Sequence, residues 1–146
     1  MTATNHALTG ALIATVVGQP LLAIPLAFAS HFACDVIPHF GTNMKFGSTH
    51  MFVRLGVDGL VAILLALFLI SRGVHNPFFL AVSGFAAMSP DLAWLYYGLK
   101  HGDHVDAPLD RFTRWHSRIQ KSETPIGLLP ELIWAVGCVL LILKLQ

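Results

Sequence analysis

Residues 51–70, MFVRLGVDGLVAILLALFLI, carry Arg54 and Asp58 in their first two turns and no polar side chain from Gly59 to Ile70. About 20 residues of α-helix cross the roughly 30 Å hydrocarbon core of a bilayer. An apolar run of this length predicts a membrane-spanning helix. Working outward, residues 126–143 form a second apolar run and residues 77–97 a third, interrupted by SPD at 89–91. A fourth, residues 20–38, contains the polar stretch SHFACDVIP, and a fifth, residues 5–17, is apolar but short, so it spans only if tilted or if the bilayer thins around it.

Composition agrees with this reading. Of 146 residues, 55% are hydrophobic and 12% charged, with a mean hydropathy of +0.66, far from the average of soluble domains. The expected fold is all-α: a single integral-membrane domain over residues 1–146, a bundle of about five helices plus one amphipathic helix at the membrane surface. That last helix is expected in the loop 100–124, where Leu109, Phe112, Trp115 and Ile119 recur at helical spacing beside Arg111, Arg114 and Arg118. A net charge of +1 leaves no electrostatic footprint for nucleic acid. Cys34 and Cys138 fall inside predicted helices without the spacing of a disulfide framework. The N-terminus lacks a basic region before its first apolar run, so no cleaved signal peptide is expected.

If all five helices cross, the N-terminus and the loops 40–49 and 100–124 share one side with Lys45, Lys100, Arg111, Arg114, Arg118 and Lys121, against Arg72 and Lys144 on the other. The positive-inside rule then makes the first side cytoplasmic, with the protein in the cell (inner) membrane and its N-terminus inside. The same threading brings His6, His31, Asp35, His39, His50, Asp58, Asp91, His116 and Glu131 to that side and leaves His75 opposite.

Charged groups at membrane depth cost several kcal/mol unless paired. His31 and Asp35 are four residues apart and share one helix face. Pro38 cannot continue the helix, which frees His39 to turn back toward the pair. Imidazole and carboxylate together suit a divalent ion such as zinc, which satisfies several of their lone pairs at once. His50 and Asp58 repeat the spacing at the head of the third helix, with Arg54 between them as an expected ion-pair partner of Asp58. Asp91 follows Pro90 within an apolar run. His6 stands one turn before Gly10, where a missing side chain lets another helix approach.

The segments NHALTG, SHFACDVIPHFG and SPD resemble a family of small integral-membrane metal-dependent hydrolases. More distantly, His31, Asp35 and His39 resemble the metal motif of zinc-dependent phospholipase C and the related single-strand nucleases. The resemblance implies His6, His31, Asp35, His39 and Asp91 as metal ligands, with His50, Asp58 and His116 as further candidates. This chain departs from the pattern at Ala93, where the membrane family often has an acid, at STH (48–50), a partial match to a longer motif, and at Met1, where the phospholipases place a ligating Trp.

The leading expectation is a membrane-embedded hydrolase of a phosphoester or lipid-linked substrate at the cytoplasmic interface, drawing on membrane lipids. Zinc or a similar ion activates water, Asp35, Asp58 or Asp91 serves as general base, and Arg111 and Arg114 hold phosphate. A metal-ion or proton transporter is the main alternative, but it needs polar groups through the whole bilayer depth, and the half opposite the cluster has almost none. A haem protein using His6 and His31 would leave the acids unexplained. A non-catalytic assembly protein would use the cluster only to lock helices together.

Overall fold

The computed structural model describes residues 1–41, 48–101, 110–120 and 122–146. Helix α1 (Ala3–Val17) is followed by α2 (Pro20–Val36), α3 (Thr49–Ser71) and α4 (Pro77–Met88). A 3-10 turn at Ser89–Asp91 leads into α5 (Leu92–His101), then α6 (Arg111–Ile119) and α7 (Leu128–Leu145). Two-residue strands β1 (His39–Phe40) and β2 (Glu123–Thr124) pair in parallel, with His39 opposite Glu123 and Phe40 opposite Thr124.

Local chemistry sets the helix ends. Gly18 closes α1 in the left-handed conformation, φ 66°, where a side chain would be strained, and its N–H reaches the Ala14 carbonyl. Pro20 and Pro77 open α2 and α4 at positions where the missing N–H has no helical partner to lose. Asp110 caps α6 by accepting from the Thr113 amide and hydroxyl, and these bonds hold its carboxyl below the usual carboxylate range.

Three segments are long and apolar enough to cross a membrane: Thr49–Ser71, Pro77–Tyr97 and Pro125–Leu145. Helices α1 and α2, at 15 and 17 residues, are shorter, reaching about 22 and 25 Å against a core of roughly 30 Å. The proline and aspartate of SPD convert one turn to 3-10 geometry without ending the run. Large apolar side chains such as Leu60, Leu64, Leu67, Ile133, Val136 and Leu140 point outward. This is the expected inversion for a helix bundle solvated by lipid.

Side-chain contacts fix an up-and-down threading. At one end, Gln146 donates to Thr15 and accepts from the His75 amide, so the end of α1, the α3–α4 connection and the end of α7 lie together. At the other end, the first residues of α1 bond to Asp58 of α3 and Glu131 of α7. The core between them is built from Leu8, Ala11, Ala14, Leu69, Leu80, Cys138 and Ile142.

Helices α1 and α4 cross closely because two glycines face each other's backbone. A Cβ on Gly10 would collide with the Ser83 carbonyl, and one on Gly84 would meet the Ala7 carbonyl. The crossing matters because α4 carries the Ala87 carbonyl and the Asp91 turn toward α2. Gly10→Leu is expected to lower stability by about 1–3 kcal/mol or more, since the clash is with backbone that cannot rotate away. Thermal unfolding in detergent measures this; an unchanged melting temperature would contradict the close crossing.

Candidate metal centre

Three elements supply one cluster. His31 and Asp35 come from the last turns of α2, Asp91 from the 3-10 turn and His116 from α6. One ligand atom from each of these four side chains lies within 4.8 Å of all the others. His31 Nε2 is 3.0 Å from His116 Nε2, 3.2 Å from Asp35 Oδ2 and 3.5 Å from Asp91 Oδ1. His116 Nε2 is 3.0 Å from Asp35 Oδ2 and 3.9 Å from Asp91 Oδ1. Ligands held about 2.0–2.2 Å from a tetrahedral ion stand about 3.3–3.6 Å apart, and the observed separations bracket that range.

The protonation pattern points the same way. His31 Nδ1 is 2.8 Å from the Ala87 carbonyl. A carbonyl only accepts, so Nδ1 carries a proton, and Nε2 faces two carboxylate oxygens and a second imidazole nitrogen. Donation of this kind to a backbone carbonyl is also how ligating histidines are commonly oriented.

The surroundings are closed on most sides. His31, Asp35 and His116 are fully buried, and Asp91 alone is part exposed, at 31%. Phe32, Phe112 and Trp94 surround the His116 ring, with centroids 5.6, 5.8 and 6.1 Å away. Asp35 is the hub. Its Oδ2 also accepts from Gln120 at 3.1 Å, while its Oδ1 accepts from His6 Nε2 at 3.1 Å and from the Met1 amino group at 2.5 Å.

The remaining sequence candidates divide. His6 joins as a neighbour: it bonds Asp35 Oδ1 and stacks on His31 with centroids 3.9 Å apart, so it supports the quartet from beside it. His39 does not turn back. Ile37 is held extended by the following proline (φ −71°, ψ 143°), and this directs His39 into β1. There its Nδ1 donates to the Ile37 carbonyl and its Nε2 stands 3.6 Å from Glu123 Oε1. His50 is exposed on the first turn of α3.

Asp58 is not at the cluster either. Its oxygens cap the start of α1, accepting from the Ala3 amide at 2.8 Å, the Thr4 amide at 3.2 Å and the Thr4 hydroxyl at 2.5 Å. Helix α1 lacks a cap from its own Thr2, and a carboxylate there also meets the positive end of the helix dipole. Arg54, expected to pair with Asp58, instead donates to the Phe40 carbonyl at 2.8 Å and lies over the Phe40 ring. Glu131 performs the matching task from α7, accepting from Thr2, Asn5 and the Phe40 amide. Asp58→Ala is therefore expected to cost about 0.5–2 kcal/mol of stability, the usual worth of a cap, with metal content unchanged. Loss of metal with retained stability would place Asp58 in the centre after all.

Arg111 and Arg114 lie exposed on α6, the helix that turns His116 inward. Phe112 and Trp115 are also part exposed, as the amphipathic pattern predicts. Leu109, Lys45 and Lys121 lie outside the described residues. Three participants were not anticipated from sequence: the Ala87 carbonyl, which accepts from His31 Nδ1, the Met1 amino group and Gln120. Gln120 had a readable signal, standing four residues after His116 on the same face.

No family model, curated protein or solved structure matches this chain.

Proposed function

We propose that His31, Asp35 and His116 hold one divalent ion, probed first as zinc, and that the protein is a membrane-embedded hydrolase of a phosphoester or lipid-linked substrate. The observation that carries the reading is the convergence of two imidazoles and two carboxylates from three elements at metal-ligand separations, with a backbone carbonyl accepting from Nδ1 of one imidazole. When bound, such an ion lowers the pKa of water toward neutrality and polarises a phosphoryl oxygen. Asp91 is the quartet's only part-exposed member, so it stands on the side from which substrate and water arrive. Its role is to take the proton of the attacking water. Arg111 and Arg114 bind the phosphate, since they share α6 with His116 and present forked donors. The orientation that fits the charge distribution puts this end of the bundle and the N-terminus on the cytoplasmic side of the inner membrane.

A second reading has one specific observation behind it: four protein ligands make a closed shell, which is the pattern of a structural ion. Asp91→Asn separates the two. The hydrolase reading expects the variant to keep its metal and lose turnover of a phosphodiester by about 100-fold or more. A structural ion expects the variant to lose metal and stability together.

A further inference from the structure

A lateral cavity of about 270 Å³ lies between α1, α3 and α4, outside the polar cluster. Near one end α3 meets α1 through the Asp58 contacts, and near the other Leu69 joins the core cluster with Leu65 packed against it. Small residues line it from all three helices: Ala7 and Ala11, Ala62 and Ala66, Ala81 and Gly84. Of its lining residues only Thr4 carries a polar side chain, and the Thr4 hydroxyl is already spent on Asp58. One end of the cavity is at Thr4 and Met88, and Met88 sits between Ala87, whose carbonyl orients His31, and the turn bearing Asp91. The other end is at Ile70, Val74 and Pro77.

The dimensions choose the occupant. From Pro77 to Met88 the groove follows α4 for about 17 Å, a little over half of a roughly 30 Å hydrocarbon core and so the reach of a single lipid chain. Its walls of small apolar side chains suit a flexible alkyl chain.

We infer that this groove holds the hydrocarbon chain of a lipid whose headgroup end lies at the layer of Met88 and Asp91, which makes the substrate of the metal site a long-chain lipid phosphoester. The inference rests on the hydrolase reading for its substrate but not for its binding site. Close packing against the small-residue walls holds the chain, since a chain leaving bilayer hydrocarbon gains no transfer energy, and its headgroup end lies at the layer of Asp91, the part-exposed member of the quartet.

The test uses the full chain in lipid nanodiscs with a diacyl phospholipid bearing a diazirine on the terminal carbon of one acyl chain. Photolysis is expected to concentrate label at Ile70, Val74 and Pro77, with little on the outward face of α7. Ala81→Trp and Ala66→Phe, which fill the groove, are expected to lose that label while keeping the parent's metal content. Competition on the parent needs no substitution: excess palmitoyl lipid should remove the label, and a butyryl analogue should not. Even labelling over α3, α4 and α7, label concentrated at Thr4 and Met88, or equal competition by both lipids would overturn the inference. Concentrated, competable label in a protein without metal would uphold the groove and remove the hydrolase reading. Metal without concentrated label would overturn the groove and leave the hydrolase reading standing.

Discussion

Asp35→Ala is expected to abolish both metal binding and the sensitivity of the protein to chelators. Asp35 meets both histidines of the quartet on Oδ2 and His6 on Oδ1. An ion that binds only the folded state stabilises it by mass action, about 4 kcal/mol at a free concentration a thousand times Kd. Chelation of the parent protein should therefore lower its melting temperature clearly, and the same treatment should hardly move the variant. The experiment also isolates the structural alternative. A cluster held only by hydrogen bonds would lose stability on Asp35→Ala with or without chelator, and the parent would ignore the chelator. Equal chelator shifts in parent and variant would mean that Asp35 is not a ligand.

His116→Ala is the second large effect, and it separates the metal from the bundle. His116 comes from α6, while the close helix crossing at Gly10 and Gly84 and the core around Leu8 and Ile142 belong to α1, α4 and α7. Removing a ligand should weaken metal affinity by more than the about 10- to 100-fold typical of its outer partners. The bundle should survive, so helical content by circular dichroism stays near the parent's while bound metal is lost. His50→Ala serves as the comparison, because His50 is exposed on α3 and lies outside the quartet. A His116→Ala protein that retains its metal would remove α6 from the centre.

How much of this was legible in sequence depends on the kind of signal. The helical character followed from composition and run length alone, and the three long apolar segments near 51–70, 77–97 and 126–143 are those long enough to cross a membrane. His31 and Asp35 were readable because helix periodicity puts residues four apart on one face. Asp91 was readable from the cost of a carboxylate in an apolar run. His116 entered among the further candidates, because a residue in a polar loop carries no such cost and its partners come from a helix 85 positions away in sequence.

Asp58 was a candidate because it is an acid near the polar end of an apolar helix, and the structure uses it, with Glu131, to satisfy the amides and side chains at the start of α1. Helix N-termini need such acceptors, and sequence does not say which distant carboxylate will supply them. His39 was misdirected by a correct premise: Pro38 does end the helix, yet the extended Ile37 carries the chain away to pair with β2, a long-range partner that no local pattern announces.

The central claim, that His31, Asp35 and His116 form a metal centre, is tested most directly by elemental analysis of the detergent-purified protein beside its His31→Ala variant. The account predicts one divalent ion per chain in the parent, zinc being the first to look for, and loss of that ion in the variant. A parent that binds no divalent ion when supplied with one, or a variant that retains the full complement, would contradict it.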